Sequence, residues 1–519
     1  MNRSDIIQRL EARREPWDLL IIGGGATGAG IAVDAASRGY ATLLLEQSDF
    51  GKGTSSRSTK LVHGGVRYLQ QGNISLVMEA LHERGLLREN APHLVDDLRF
   101  IVPNYDWWEA PFYGIGLKIY DLLARQYSFG PSRLLDKDEV LAAIPTLKTE
   151  GLRGGVQYFD GQFDDARLLI NIIQTADKQN TVVLNYMPVT ALRKDGQGLI
   201  NGVLARDAES GREFEIAARG VINATGPFTD GVRRMDQPDA PAMIAPSQGV
   251  HLVLPQSFLP GDSAIMVPHT RDGRVMFAIP WHDRAVVGTT DTPIDAVSLE
   301  PRALDGEIEF IIDTAQDYLS GTLTRQSILS VFAGIRPLVR AGDGRNTAAI
   351  SRDHTIHIAD SGLVTIAGGK WTTYRRMAQD CVGQAAVVAG LEMRPCVTKR
   401  LNLHGYLQHP ERFGALAFYG SDAPDVQDLI NSQPQLAEPL HPALPIRAGQ
   451  VVWAARHEMA RTVDDVLSRR TRALLLDARA AIDAAPTVAA LLARELGRDA
   501  GWERGQTDEF RRLAEGYVA

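Results

Sequence analysis

Three glycines, Gly23-x-Gly25-x-x-Gly28, stand between the apolar run Leu19-Leu20-Ile21-Ile22 and a stretch of small residues from Gly28 to Ser37. The run has the length of a buried strand. The spacing of Ile31 and Ala35 predicts a helix that ends at Arg38-Gly39, and Ala41-Thr42-Leu43-Leu44-Leu45 predicts a second buried strand closed by Glu46. Strand, glycine turn, helix and strand within about 30 residues make a βαβ unit, whose natural host is a parallel sheet. The three glycines serve different physical ends. Gly23 permits the tight turn, Gly25 lets a pyrophosphate reach the backbone, and Gly28 lets helix and strand pack closely. The helix start supplies free N–H groups and positive dipole for phosphates, and Glu46 can accept hydrogen bonds from a ribose. The full pattern implies a dinucleotide site.

The same stretch imitates a secretion signal, since Asp18 to Asp34 encloses only uncharged residues. Its glycines, the acids Glu11 and Glu15 ahead of it, and a length short of the ~20 residues that span a bilayer favour the start of a folded domain. The 519 residues carry 55 Lys+Arg against 63 Asp+Glu, a net charge of −8, which leaves no footprint of nucleic-acid binding. With 44% hydrophobic and 23% charged residues, the composition is that of a globular chain and excludes disordered and polytopic membrane classes. Cys381 and Cys396 are the only cysteines, so a disulfide framework is excluded and a reducing, cytoplasmic setting is expected.

Further strands are expected at 220–226 and 363–367, both ending in glycine as central parallel strands near a ligand do. Residues 274–281 and 285–288 read as an antiparallel hairpin turning at His282-Asp283. From about residue 400 the texture is helical, with helical spacing from Val451 to Leu476 and a connecting loop from Pro434 to Pro445. The expected organisation is a first dinucleotide-binding part at 1–85, a substrate and membrane-facing part at 86–155, a second dinucleotide part at 156–235, substrate domain at 236–335, a third dinucleotide part at 336–399, and a helical domain at 400–519.

The stretch Thr54-Ser55-Ser56-Arg57-Ser58-Thr59-Lys60-Leu61-Val62-His63-Gly64-Gly65-Val66-Arg67-Tyr68 follows the second strand. Its small hydroxyl residues and paired glycines would let backbone run beside a flat ligand, or form an ordinary polar loop. Together with Ile22–Gly30, Ala224-Thr225-Gly226-Pro227, Pro280-Trp281, Gly288-Thr289-Thr290-Asp291, Gly334-Ile335-Arg336-Pro337-Leu338 and Gly368-Gly369-Lys370-Trp371-Thr372-Thr373-Tyr374-Arg375, it resembles the FAD-dependent glycerol-3-phosphate dehydrogenases. The motifs run in family order across about residues 17–380, and His457-Glu458 with Asp465–Arg472 resemble the family's C-terminal helical domain.

The resemblance implies a D-amino-acid oxidase-like fold: an α/β, Rossmann-type FAD-binding domain interleaved with an antiparallel-sheet substrate domain, plus a C-terminal all-α domain. It implies oxidation of sn-glycerol 3-phosphate to dihydroxyacetone phosphate, with electrons passed through non-covalent FAD to a membrane quinone. The enzyme would sit peripherally on the inner face of the plasma membrane, with a homodimer open to it. FAD contacts are then expected from Gly23, Gly25, Ala26, Thr27, Gly28, Glu46, Gln47, Thr54, Ser55, Ser56, Ser58, Thr59, Lys60, Leu61, Gly65, Val189, Thr225, Gly226, Gly369, Lys370, Trp371 and Thr372.

A phosphorylated substrate needs fixed cations, and Arg67, Arg336, Arg352 and Lys370 lie in or beside these motifs, with Tyr68 next to Arg67. Removing a hydroxyl proton needs a base that titrates near neutrality, for which His251 in Gly249-Val250-His251-Leu252-Val253 is the candidate. Arg336 could stabilise the developing oxygen charge, and Lys370 could hold the phosphate or that oxygen. Cys381 reads as packing, and His354 with His357 on a strand does not make a metal site. The aromatic-rich segment 104–130, with Trp107, Trp108, Phe112 and Tyr113, reads as an interfacial helix for a membrane surface. The competing readings are an oxidase that uses O2 and a catalytically silent flavin-binding regulator.

Overall fold

The structure is a computed structural model that describes residues 1–65, 73–106, 109–268, 270, 273–340 and 354–519. The expected βαβ unit is present: strand Trp17–Ile22, helix Ala26–Ser37 and strand Thr42–Leu45, the two strands pairing in parallel from Leu19–Thr42 to Ile22–Leu45. Strand Val182–Leu184 extends the sheet beyond Thr42–Leu45. On the other flank Glu213–Asn223 pairs in parallel with Trp17–Ile22, and Val364–Gly368 pairs in parallel with Glu213–Asn223. His354–Ile358 closes that edge antiparallel, and the hairpin Val189–Lys194/Ile200–Arg206 packs against the start of Glu213–Asn223. The strand order reverses at Trp17–Ile22, so a crevice opens at its C-terminal end, where open α/β sheets bind ligands.

These strands are buried on both faces, which is why they read as unbroken apolar runs. Leu19, Leu20, Ile21, Leu43, Leu44, Val183 and Val364 are fully enclosed, with Ile31 and Ala35 of the helix above them. Cys381 lies in helix Tyr374–Val388 within this same core, as its packing assignment requires. Burial pushes its thiol far above its ordinary range, so it stays a protonated apolar filler.

Among the described residues the second sheet has ten strands, running 292–293, 244–255, 284–288, 276–281, 263–267, 95–104, 154–163 and 61–62, with 330–339 paired to 244–255 and 133–136 paired to 154–163. Met276–Trp281 and Arg284–Gly288 form the expected hairpin, and both turn residues, His282 and Asp283, hold positive φ. Leu61–Val62 and Gly154–Phe163 belong to this sheet, so the chain crosses between the two layers inside the stretches 1–85 and 156–235.

The helical region after residue 400 departs from its pattern in two places. Pro434–Ala437 is a short helix with proline in its first turn, where a missing N–H costs nothing, and not part of a loop. The helical spacing from Val451 is broken: Ala448–His457 ends, residues 458–462 turn with Met459 at φ 56°, and Asp465–Arg470 forms a π-helical turn. The break is capped by Asp465, whose carboxylate accepts the backbone N–H of Arg461 at 2.7 Å and of Thr462 at 3.1 Å. Ala478–Leu496 and Ala500–Ala514 then complete the appendage.

Candidate active site

The crevice at the reversal point is a deep cleft whose walls come from the parallel strands at their C-terminal ends. Gly23 holds φ 110°, and a Cβ there would lie 2.7 Å from the Ala224 carbonyl oxygen, so glycine is obligatory. A Cβ on Gly28 would strike the Gly23 carbonyl oxygen, which is the close helix–strand approach expected of that position. Gly25 differs: its Cβ would meet only the Ser55 hydroxyl, at 3.1 Å, so its surface is left open to the cleft. Gly25 also begins helix Ala26–Ser37 without a side-chain cap, so the positive helix end faces the cleft. Ser55 accepts the Ala26 N–H at 2.9 Å. These features form a cradle for a pyrophosphate.

Glu46 lines the cleft, but its carboxylate also organises the turn: Oε2 accepts the Gly24 N–H at 2.6 Å and Oε1 accepts the Ser48 N–H at 2.9 Å. Burial raises its pKa above the ordinary range, opposed by those backbone hydrogen bonds. On the opposite wall the turn after Gly368 brings in Gly369, Lys370 and Trp371, and the Trp371 indole donates to the Ser55 carbonyl at 2.9 Å. That bond ties residues 316 positions apart across the cleft.

Of the residues expected at the cofactor, Gly23, Gly25, Ala26, Thr27, Glu46, Gln47, Thr54 and Ser55 line the cleft, as do Val189, Thr225, Gly226, Gly369, Lys370 and Trp371. The rest do not. Gly28 acts through packing, and the Thr372 hydroxyl pairs with the His63 backbone. Leu61 is taken up by the second sheet, and Gly65 lies beside it at φ 81°. The Ser56 hydroxyl donates to the Gly51 carbonyl at 2.9 Å. The expectation for Lys60 and Ser58 is corrected. Lys60 is fully buried and donates to both oxygens of Asp165, at 2.7 and 2.8 Å, and to the Ser56 carbonyl at 2.8 Å. Ser58 donates to the same carboxylate from backbone and hydroxyl. A buried ammonium needs such a counter-charge, and Asp165 supplies it from 105 residues away. Pro337 of the Gly334–Leu338 motif also lines the cleft, as do Lys52, Leu299 and Met377, which no motif marked.

Beyond this loop lies the face of the second sheet that carries His251 and Arg336. Alternation along strand Ile244–Pro255 puts Ser247, Gly249 and His251 on one face, and the register pairs Ser247 with Arg336 and His251 with Phe332. His251 is 2% exposed, stacks on Phe332 at 4.8 Å, and shares a hydrogen bond of 2.9 Å between Nε2 and the Thr59 hydroxyl. So Thr59 reaches His251 rather than the cleft. Burial first, then the positive charges of Arg336 and Lys60, hold His251 well below its ordinary pKa, leaving a neutral imidazole at neutral pH. Its Nδ1 is buried without a hydrogen-bond partner.

The Arg336 guanidinium crosses directly over Gly249, where a Cβ would come within 2.7 Å of its Cζ. Its Nη2 donates to the Thr289 hydroxyl at 3.2 Å and the Thr290 carbonyl at 3.0 Å, and Nη1 lies 3.4 Å from Asp291. The Gly288-Thr289-Thr290-Asp291 motif is therefore the cradle of this arginine. Gly249 is the residue that sequence reasoning missed: the motif names it, but only folding shows which side chain needs its space. Arg67, Tyr68 and Arg352 lie outside the described residues.

Comparison with known proteins agrees with this geometry. Residues 18–375 match the family of FAD dependent oxidoreductases, and residues 364–502 match the C-terminal domain of alpha-glycerophosphate oxidase. The chain is 40% identical over 544 residues to a probable mitochondrial glycerol-3-phosphate dehydrogenase of Caenorhabditis elegans, covering 98% of this chain and 74% of that protein. It is 40% identical to the human mitochondrial glycerol-3-phosphate dehydrogenase, covering 96% and 73%. The crystal structure of a Bacillus halodurans glycerol-3-phosphate dehydrogenase complexed with FAD superposes with a TM-score of 0.81 at 31% identity, covering 100% of this chain and 98% of that one.

Proposed function

The chain belongs to the FAD-dependent glycerol-3-phosphate dehydrogenases, and from that premise we propose that it oxidises sn-glycerol 3-phosphate to dihydroxyacetone phosphate and delivers the electrons to a membrane quinone. The observation that carries the chemistry is the pairing of a neutral, buried His251 with Arg336 on one sheet face beside the FAD cleft. Bound FAD supplies the hydride acceptor. In the tautomer whose Nε2–H donates to Thr59, His251 keeps a lone pair on Nδ1 to take the substrate's hydroxyl proton. Arg336, fixed by Thr289, Thr290 and Asp291, stabilises the oxygen as its charge develops. Lys370, at the cleft wall, holds the phosphate or the same oxygen.

The membrane reading rests on helix Glu109–Ala124. Its inward stripe, Tyr113, Leu117, Tyr120 and Ala124, is buried. Its outward stripe, Phe112, Ile115, Ile119 and Leu122, is just as apolar and stands exposed, with Leu122 at 75%. Leu134 adds to the same patch. An exposed apolar stripe of this size suits a bilayer boundary, and a lipid-soluble quinone would be met there. No helix of the described residues is long and apolar enough to cross a membrane. Trp107 and Trp108 lie outside the described residues.

The acceptor is tested by stopped-flow reoxidation of substrate-reduced protein. A soluble quinone analogue should reoxidise it far faster than O2, and the reverse order would assign an oxidase. Replacing Phe112 and Ile115 by aspartate should abolish flotation with liposomes while sparing dye reduction. Unchanged flotation would place docking elsewhere.

A further inference from the structure

The segment between Glu46 and Ser55 forms one wall of the cleft, and Gly51, Lys52 and Gly53 face the opening. It is held from behind by the C-terminal helical domain. Asp49 is fully buried and accepts Arg469 Nε at 2.5 Å and Arg470 Nη1 and Nη2 at 2.6 and 2.8 Å. Arg469 is shared with Asp464 and Asp465, each at 2.9 Å. Asp464 in turn accepts Lys52 Nζ at 3.1 Å, so the same cluster reaches a cation on the cleft wall. The contacts of Asp49 and Lys52 join residues more than 400 positions apart, and each arginine is at most 2% exposed.

The same wall is tied a second time, since Glu300 lies 3.6 Å from Lys52. Leu299 lines the cleft, and its carbonyl accepts Arg57 Nη1 at 2.7 Å. Glu300 accepts Arg57 at 2.7 Å and the hydroxyl of Tyr517, from the C-terminal tail, at 3.0 Å. A buried charge persists only with its partners, so removing one member must shift the others.

We propose that the C-terminal domain is part of the cofactor site: Arg469 and Arg470 through Asp49, and Asp464 through Lys52, are positioning residues that set the wall of the FAD cleft. The proposal rests on the assignment of FAD to this cleft and is independent of the electron acceptor. A clasp that merely joined the domains would lower stability without touching cofactor affinity.

The two are separated by stripping FAD from the protein and titrating it back, with quenching of flavin fluorescence as the readout. Asp49→Asn should weaken FAD binding at least tenfold, and Arg470→Lys, which keeps the charge but loses the two-pronged contact to Asp49, should weaken it by less than Asp49→Asn does. Glu458→Gln is the control. It breaks another buried pair across the same junction, Arg167–Glu458 at 2.7 and 2.8 Å, whose members do not line the cleft, and it keeps the Glu458 main-chain carbonyl that accepts Arg470. It should lower the unfolding midpoint yet leave the FAD Kd within twofold. If Asp49→Asn does not fold, Asp464→Asn keeps Asp49 paired while removing the nearer of the two carboxylates that hold Lys52, Asp464 at 3.1 Å and Glu300 at 3.6 Å, and should weaken FAD binding at least threefold. An unchanged Kd in the clamp variants, or an equal rise in Glu458→Gln, overturns the proposal. Wild-type protein that takes up no FAD overturns the cofactor assignment with it.

Discussion

Replacing Gly249 by alanine probes the substrate site without removing any functional group. The added Cβ would come within 2.7 Å of Arg336 Cζ and Nη1, closer than real contacts allow. The obstacle is the far end of a flexible side chain, so the guanidinium can swing away while strand Ile244–Pro255 keeps its pairing. Gly249 has no positive φ, and alanine adds no backbone strain. The cost to stability should therefore be small, within about 1 kcal/mol for a relieved overpacking. The cost to catalysis should be larger. A displaced Arg336 forfeits a hydrogen bond to a charged group, worth about 1.5–3 kcal/mol, which is roughly a 10- to 150-fold loss in kcat/KM at 1.4 kcal/mol per decade. Steady-state reduction of a soluble dye acceptor by glycerol 3-phosphate reads this loss, with thermal unfolding and flavin content as controls. A Gly249→Ala protein with kcat/KM within twofold of wild type would refute the role given to Arg336.

Three further outcomes are expected. Gly25→Val should purify without flavin, because the side chain would project into the cleft at the helix start; full flavin occupancy would make the motif purely structural. His251→Ala should slow single-turnover flavin reduction by about 10²–10⁴-fold at saturating substrate, and a rate within a few-fold of wild type would remove it as the base. His93 is buried, with only its Nε2 bonded, to Asn171 at 3.1 Å, and burial lowers its pKa to about 4. Its folded pKa lies below the unfolded value, so the unfolded chain takes up the proton first. The stability it confers is complete above about pH 6.5 and is lost as pH falls toward 4, a loss of about 2–3 kcal/mol by pH 4.5. Urea unfolding should show that His93→Gln loses less stability than wild type between pH 7 and 4.5, and parallel losses would contradict the assignment.

What is legible in the sequence is local. The Gly23–Gly28 turn, the strands on either side of it and the His282-Asp283 hairpin each depend on residues a few positions apart, so their spacing shows in the chain. The cofactor wall is legible where motif and backbone coincide, as at Thr225-Gly226 and Gly369-Lys370-Trp371. Lys60 misleads because its partner Asp165 sits in a helix that no motif connects to it. The π-helical turn at Asp465–Arg470 reads as continuous helix because its apolar spacing is helical, whereas its geometry is set by ion pairs to Asp49. The exposed stripe of helix Glu109–Ala124 shows why composition alone does not decide its role: both faces are apolar, and only the fold shows which one is covered.

The measurement that tests the central claim most directly is an anaerobic titration of the purified, FAD-loaded protein with sn-glycerol 3-phosphate, followed in the visible flavin band. The account predicts that the band bleaches in proportion to substrate added, that one dihydroxyacetone phosphate forms per flavin reduced, and that unphosphorylated glycerol leaves the spectrum unchanged. A yellow protein that glycerol 3-phosphate does not bleach would contradict it.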